Sequence, residues 1–172
     1  MTDQVVEEAR YEVTPDLFKA VMGSVCTPVA VVTAFDGDRP HGTTVSAFSS
    51  LSLTPPMVLV ALDEKSDLLA LLRHSSRFGI NILSHAQDSI ADQFAAKGDE
   101  KFEGVSWVRR AGAPHILESA CWFGCDVAQL VSGGDHTIVL GTVLQTDHVD
   151  RAPLTYHRRS FGTHQALPER DR

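Results

Sequence analysis

The stretch from residue 41 to residue 60, HGTTVSAFSSLSLTPPMVLV, indicates the fold and the kind of ligand more clearly than any other part of the chain. Hydroxyl side chains stand at positions 43, 44, 46, 49, 50, 52 and 54. Hydroxyls at this density do not suit a hydrophobic core, but they can hydrogen-bond an anionic, polyhydroxylated ligand. Pro55-Pro56 ends the polar segment, and an apolar run from Met57 to Leu62 follows. We therefore predict a hydroxyl-lined strand, a proline corner and a buried strand, against which a nucleotide-like cofactor can lie.

Strand alternation divides the side chains of this segment between two faces. Counted as one strand, it places Thr44, Ser46, Phe48 and Ser50 on one face, and Val45, Ala47 and Ser49 on the other. A solvated strand face is the alternative to a binding surface, because serine and threonine are common on exposed strands.

The composition indicates a single acidic domain. The 172 residues suffice for one domain with a hydrophobic core. A net charge of -7 argues against nucleic acid or an anionic membrane as the main partner, since phosphate-binding faces need a basic excess. No apolar run reaches the length of a membrane span, and the acidic start lacks the order of a signal peptide. The three cysteines do not form a disulfide framework, so we expect them to be buried and the protein to be cytoplasmic.

Local signals predict the elements. Thr14 and Pro15 suit the start of a helix that runs to about residue 25, and apolar spacing predicts two further helices over 67–74 and 87–96. Apolar and β-branched runs predict strands over 28–35, 40–50, 57–62, 78–83, 106–110, 116–130 and 137–150. We expect residues 1–13 to form a flexible N-terminus, 14–162 the domain and 163–172 a polar tail.

The order of these elements predicts the fold class. Strands follow one another at hairpin-like spacing, without regular alternation of strand and helix. We therefore predict a mainly β protein of about six to eight strands, a closed or partly closed antiparallel barrel with helices on its outside.

No standard nucleotide-binding motif accompanies the polar segment. Because neither Gly-x-Gly-x-x-Gly nor a P-loop is present, hydroxyls and strand-end N–H groups must hold any phosphate. Gly134-Asp135-His136 precedes an apolar strand, so His136 can hydrogen-bond a cofactor or move a proton near neutral pH. An exposed turn histidine without a function is the alternative.

Metal and hydrolase sites lack sequence support. The eight histidines form no His-x-x-x-His pair on a helix, and Cys121 and Cys125 have no second pair to complete a tetrahedral site, so we predict no metal. The chain also lacks the Gly-x-Ser-x-Gly elbow of many serine hydrolases.

Taken together, these segments resemble the flavin reductase-like family, whose members have an FMN-binding split-barrel fold. The resemblance covers residues 14–162, and it depends on the order and spacing of the motifs rather than on any one of them. In chain order, the matching segments are TPVAVVT (27–33), TVSAFSSLS (44–52) followed by Pro-Pro, FGINIL (78–83), the weaker KFEGVSW (101–107), and Gly134-Asp135-His136 before a strand and Gly141.

The resemblance implies an activity. Such proteins use NADH or NADPH to reduce FAD or FMN, and many are the small reductase component of a two-component flavin-dependent monooxygenase, to which reduced flavin diffuses. They are usually homodimers with flavin near the subunit interface. Hydride transfer from nicotinamide C4 to flavin N5 needs no protein nucleophile, so we expect residues that bind and orient two rings. The lack of an arginine cluster near His136 favours NADH.

The resemblance also implies the site residues. Residues 44–47 would line the isoalloxazine and ribityl chain, and Ser49 and Ser50 would hold the ribityl or phosphate end. His136, the one residue implied to be catalytic, would contact the nicotinamide dinucleotide. Ser66 and Leu83 would border the phosphate side, Phe102 the cofactor cleft, and Tyr156 and Arg159 the rim. The full set of implied cofactor-binding residues is Thr27, Pro28, Thr44, Val45, Ser46, Ala47, Ser49, Ser50, Ser66, Leu83, Phe102, His136, Tyr156 and Arg159.

Two other interpretations share the same fold. One is a non-enzymatic flavin-binding or electron-carrier protein, and the other is a pyridoxamine-phosphate-oxidase-like enzyme. The fold alone does not choose among them.

Overall fold

The computed structural model describes residues 13–167. The predicted flexible N-terminus, except Val13, and the end of the predicted polar tail lie outside these residues. The helices are α1 (Pro15–Met22), α2 (Asp67–Leu72) and α3 (Asp88–Ala95). The strands are β1 (Thr27–Pro28), β2 (Ala30–Asp36), β3 (Arg39–Val45), β4 (Phe48–Leu53), β5 (Pro56–Asp63), β6 (Arg77–Ile82), β7 (Trp107–Arg110), β8 (Ala113–Ile116), β9 (Cys121–Gly133), β10 (His136–His148), β11 (Leu154–His157) and β12 (Ser160–Thr163).

One antiparallel sheet of seven strands forms the body of the molecule, in the order β3-β2-β6-β9-β10-β5-β4. Its two outer strands, β3 and β4, follow each other in sequence although they lie at opposite edges. The two residues between them, Ser46 and Ala47, must cross from one edge to the other, so the sheet has to curl into a barrel. Because β3 and β4 do not pair with each other, the barrel stays split. The predicted mainly β, split-barrel fold is confirmed.

Strand β2 is buried on both faces because the sheet is covered on both sides at this point. All five residues from Ala30 to Ala34 are buried. Val32 joins an inner cluster with Leu69 of α2, whereas Val31 joins an outer cluster with Phe94 of α3. A strand covered on both sides loses the alternation of apolar and polar residues, which explains the uninterrupted run AVVTA.

The three helices differ in what they cover. Helix α3 packs on the outside of the barrel, as predicted. Helix α2 buries Leu68, Leu69 and Leu72 in the inner cluster and contacts β2, β3 and β5, so it lies where the two edges of the sheet approach each other. Helix α1 has no buried residue. Among residues 13–167, no helix is long and apolar enough to cross a membrane.

The single strand predicted from Pro40 to Ser50 is wrong, and so is the grouping of Thr44, Ser46, Phe48 and Ser50 on one face. The chain forms two strands that pair with different neighbours. Val45 at the end of β3 lies opposite Ala30, whereas Phe48 at the start of β4 lies opposite Val60. Alternation cannot be counted through the corner, because the backbone leaves one ladder there and enters another.

The later part of the chain also differs from the predicted pattern. Strand β8 ends at Ile116, and β9 begins only at Cys121, with Glu118 at a positive φ of 66° between them. Three short strands, β1, β11 and β12, form a second sheet that the sequence pattern did not indicate.

The cysteines only partly follow the expectation of burial. Cys125 is fully buried, Cys121 is half-buried, and Cys26 is exposed. Burial raises the pKa of Cys125 to about 12, so this thiol stays protonated at neutral pH. The burial predicted for Cys26 is wrong, because this residue lies in the exposed connection between α1 and β1.

Candidate functional site

A cleft opens at the corner between β3 and β4; we call it the corner cleft. It has a volume of about 240 Å³ and combines apolar side chains with hydroxyl, carboxylate and imidazole groups. The residues that line it are Thr43, Val45, Ser46, Ala47, Ala61, Leu62, Asp63, Ser66 and His136. Five of the residues predicted from the sequence, at positions 45, 46, 47, 66 and 136, therefore lie together.

The backbone of the corner is attached to the barrel while the Ser46 side chain remains available. The amide of Ala61 donates to the carbonyl of Ala47 at 3.0 Å, and the amide of Phe48 donates to the carbonyl of Ser46 at 3.2 Å. The Ser46 hydroxyl makes no hydrogen bond to any other group within residues 13–167. An exposed hydroxyl on a fixed backbone is well placed to bind a ligand.

His136 is held at the end of the ladder between β5 and β10. It is the first residue of β10 and lies directly opposite Asp63 of β5. Its Nδ1 is 2.8 Å from Oδ1 of Asp135, and this hydrogen bond lowers the pKa of the Asp135 carboxyl. A neutral ring that donates through Nδ1 presents Nε2 as an acceptor, and 42% of the side chain is exposed.

A second and larger cleft continues from the corner cleft; we call it the lysine groove. The two share Thr43, Asp63 and Ser66, and the lysine groove has a volume of about 450 Å³. Its walls are three lysines from separate segments together with apolar and acidic residues: His41, Lys65, Asp67, Leu68, Ala95, Ala96, Lys97, Gly98 and Lys101.

Lys101 is the fixed positive charge of the lysine groove. Its Nζ donates to the carbonyls of Gly42 and Phe94, at 3.3 and 3.1 Å, and so links β3 to α3. Burial lowers the pKa of Lys101, and burial together with the nearby Lys101 charge lowers the pKa of His41. Because its pKa lies below 6.5, His41 is mainly neutral at pH 7.

A third cleft, which we call the aromatic slot, also adjoins the corner. It has a volume of about 210 Å³, shares Val45 and Ser46 with the corner cleft, and is lined by Tyr156 and Phe161. The centroids of these two rings are 5.4 Å apart.

The predicted rim residues come together on the small sheet that carries this slot. Thr27 pairs with Tyr156, and Pro28 pairs with Thr155. Arg159 is exposed in the turn between β11 and β12, at a positive φ of 63°.

Thr44 lies at the aromatic slot, but its hydroxyl already has a partner. It donates to the carbonyl of Ala91 in α3 at 2.7 Å. This hydrogen bond fastens β3 to α3, so the side chain has a structural role in addition to any contact with a ligand.

Seven predicted site residues line none of these three clefts: Thr27, Pro28 and Arg159 belong to the small sheet and its turn, and the other four lie elsewhere. Ser49 and Ser50 are exposed on β4, where the Ser49 hydroxyl donates to the carbonyl of Ser50. Leu83 is completely buried, and its amide and carbonyl pair with Val29 and Leu154. Phe102 packs edge-on against Phe94, with ring centroids 4.8 Å apart. Cofactor contact stays a prediction for all of the residues named from the sequence.

The structure adds residues that the motifs did not indicate. They are Ala61, Asp63, Lys65 and Lys97, and they join Thr43 and Lys101, which lie in quoted segments but were not named as site residues. A sequence signal was available for Lys65, which adjoins Ser66. The approach of Lys97 to Lys65 depends on the packing of α3, which no local motif reports.

The comparison with known proteins identifies the family. The sequence matches the family described as Flavin reductase like domain over residues 22–165. The chain belongs to this family. The resemblance seen in the motifs is thereby confirmed.

Individual relatives of this flavin reductase-like protein support the family assignment. It is 38% identical over 145 residues to the reductase component of the 4-nitrophenol 4-monooxygenase/4-nitrocatechol 2-monooxygenase of Rhodococcus opacus, covering 84% of this chain and 78% of that protein. It is 35% identical over 146 residues to the FMN reductase (NADH) SmoA of Agrobacterium fabrum, covering 84% and 83%. Among solved structures, it superposes with a TM-score of 0.84 and 30% identity on the NADH:FAD oxidoreductase SgcE6 of Streptomyces globisporus C-1027 in complex with NAD and FAD fragments, covering 94% and 99%.

The clefts of this flavin reductase-like protein fit a flavin chemically. Val45, Ala47 and Ala61 supply apolar surface for a planar ring, and the unpartnered Ser46 hydroxyl can meet a polar group at its edge. Lys65 supplies positive charge for a phosphate at the entrance of the lysine groove.

The hydroxyls of the adjacent residues Thr43 and Thr44 differ in hydrogen bonding, so we expect the two matched substitutions to have different effects on stability. Thr44→Val removes the hydrogen bond to Ala91, so we expect the free energy of unfolding to fall by about 1 kcal/mol in urea denaturation. Thr43→Val removes a hydroxyl that has no hydrogen-bond partner within residues 13–167, so we expect a change below about 0.5 kcal/mol. An equal loss in the two variants would contradict the structural role of the Thr44 hydroxyl.

Proposed function

We propose that this protein is an NADH-dependent flavin reductase, which reduces FAD or FMN and supplies free reduced flavin to a separate monooxygenase. The observation that carries the proposal is the continuity of the site, in which the hydroxyl corner, His136 and the lysine groove adjoin one another. Family membership and the activities named for the relatives support it.

The chain's residues would act by binding and orientation. The corner residues Val45, Ser46 and Ala47 would hold the ring system and the start of the ribityl chain, while Ser66 and Lys65 would hold the phosphate. A bound oxidised flavin supplies the hydride acceptor. Placing two rings in contact removes much of the entropic barrier to hydride transfer, so no protein nucleophile is needed.

His136 would position the nicotinamide from the far side of the corner cleft. Its Nε2 can accept a hydrogen bond, for example from the carboxamide of the nicotinamide, while Asp135 holds Nδ1. The remaining residues that we propose for the cofactor are Thr27, Pro28, Thr44, Tyr156 and Arg159 near the aromatic slot, and Ser49, Ser50, Leu83 and Phe102 elsewhere.

The activity is tested by following NADH oxidation by absorbance, with and without added FAD or FMN. We expect turnover that depends on the added flavin. A rate of NADH oxidation that does not depend on added flavin would overturn the proposal. Flavin retained on the protein without NADH turnover would instead support a carrier, and amine oxidation with retained FMN would support a pyridoxamine-phosphate-oxidase-like enzyme.

The proposed contact between His136 and the nicotinamide predicts that substitution of His136 raises the KM for NADH selectively. Because the Nε2 contact is lost, His136→Ala should raise the KM for NADH by about tenfold and the KM for flavin by much less. His74→Ala, which removes an exposed histidine after α2, is the matched control and should change neither value. Equal increases in the two KM values would remove His136 from the nicotinamide role.

We also propose that the protein is a cytoplasmic homodimer. The exposed face of α1 supports a dimer, because Leu17, Phe18, Val21 and Met22 are each about half exposed and form an apolar surface on a helix that buries nothing in its own subunit. The free thiols of Cys26, Cys121 and Cys125 suit a reducing compartment.

The dimer is tested by sedimentation equilibrium. Phe18→Glu places a charge on the apolar face of α1, so we expect the dimer dissociation constant to rise by at least about tenfold. Lys19→Glu adds negative charge on a neighbouring position of the same helix and should leave the dissociation constant nearly unchanged. A monomeric wild-type protein, or equal effects of the two variants, would contradict the proposed interface.

A further inference from the structure

Three polar side chains lie behind the corner cleft, on the other face of the ladder between β5 and β10. His136 and Thr137 are consecutive residues of β10, so their side chains point to opposite faces. His136 lines the corner cleft, whereas Thr137 lines a separate cleft of about 390 Å³. Glu64 and Arg73 line this separate cleft together with Thr137, and we call the three residues the back triad.

The Glu64 carboxylate joins the other two members of the back triad. Its Oε1 accepts a hydrogen bond from the Thr137 hydroxyl, and its Oε2 lies 2.6 Å from a guanidinium nitrogen of Arg73. The pair with Arg73 is 39% and 48% exposed, so water weakens it. Thr137 is only 5% exposed, and a buried hydroxyl is costly to leave without a partner. The bond to Thr137 is therefore the stronger of the two attachments.

Glu64 is attached to both sequence neighbours of His136. Its amide donates to the carbonyl of Asp135 at 3.0 Å, and its carboxylate accepts from Thr137. The backbone on each side of His136 is thus fastened to the same residue, once through the main chain and once through a side chain. These two hydrogen bonds set where the Cα of His136 lies relative to the end of β5.

The imidazole ring has little other support on its own side of the sheet. Its side chain is 42% exposed, and the Asp135 carboxylate that contacts Nδ1 is 93% exposed. A contact between two exposed side chains restrains their positions only weakly. A group that orients a ligand has to be held closely by the residues behind it. For His136, Glu64 and Thr137 supply that support.

We propose that Glu64 is a positioning residue for NADH, and that it acts through the Thr137 hydroxyl and the backbone of His136. The inference rests on the proposed function, since it concerns how the same site orients the nicotinamide. The Glu64 side chain faces the separate cleft and is assigned no contact with either cofactor. Its task is to accept a hydrogen bond, so the amide oxygen of a glutamine in its place can perform it.

The first measurement tests the attachment itself, without any cofactor, by amide hydrogen exchange. Thr137→Val removes the hydroxyl and keeps a branched side chain in the strand, so we expect protection of the Glu64 amide to fall by about tenfold. Thr146→Val is the matched control, because it removes a β10 hydroxyl that donates to the Trp122 carbonyl at 2.9 Å. This control should leave the Glu64 amide nearly unchanged. An equal fall in the two variants would overturn the inference, since it would show only a general loss of stability.

The second measurement separates the two substrates by steady-state kinetics. Glu64→Ala and Thr137→Val should each raise the KM for NADH by about three- to fivefold, because the ring of His136 is less well placed. The KM for flavin and kcat should change by less than about twofold. Glu64→Gln should restore the KM for NADH to within about twofold of the wild type, and Thr146→Val should leave it unchanged.

The third measurement is a double-mutant cycle between Glu64 and His136. If Glu64 acts through the His136 ring, Glu64→Ala should raise the KM for NADH no further in a His136→Ala background. The same fold-increase in both backgrounds would show that Glu64 acts independently of His136 and would overturn the inference.

Two further kinetic outcomes would overturn this inference. One is an unchanged KM for NADH in Glu64→Ala while His136→Ala raises it, and the other is an equal rise in the KM values for NADH and flavin. Both are compatible with flavin-dependent NADH oxidation by the wild-type protein. The absence of that oxidation, in contrast, defeats the proposed function itself.

Discussion

The crossing of the chain at Ser46 and Ala47 is the constraint on which the rest of the structure depends. Strands β3 and β4 lie at opposite edges of one sheet and are joined by only these two residues, so the edges must approach each other. The hydrogen bond from the Ala61 amide to the Ala47 carbonyl holds the crossing against β5. The corner cleft lies at this crossing, and the lysine groove and the aromatic slot both adjoin it.

The end of β5 lies next to the residue that we propose for the nicotinamide and the residues that we propose for a phosphate. Asp63 pairs with His136 across the ladder, and Lys65 and Ser66 follow two and three residues later. The group that we propose for the nicotinamide and the groups that we propose for a phosphate are thus carried by neighbouring backbone positions. The connection that carries Lys65 and Ser66 is held to this ladder, because the amide of Ser66 donates to the Asp63 carbonyl at 2.9 Å and the amide of Glu64 donates to the Asp135 carbonyl at 3.0 Å.

Sequence patterns predicted the fold class and several residues of the corner cleft. Physical reasons explain where those predictions failed. The order of motifs was enough for the split barrel, local chemistry indicated Ser46 and His136, and the family resemblance indicated Ser66. Counting alternation through the corner failed because two ladders meet there. The convergence of Lys65 and Lys97 depends on the docking of α3, a long-range contact that leaves no periodic signal along the chain.

The two-residue crossing also limits where residues can be inserted into the chain or deleted from it. One residue inserted between Val45 and Phe48 would slacken the link between the edges and, if the ladder with β5 shifted by one position, would turn every side chain of β4 to the opposite face. A deletion would leave a span of a single residue between strands that belong to different edges. Length changes in this protein are therefore far better tolerated in a hairpin turn away from the corner, such as the turn at Gly37, than at the corner itself.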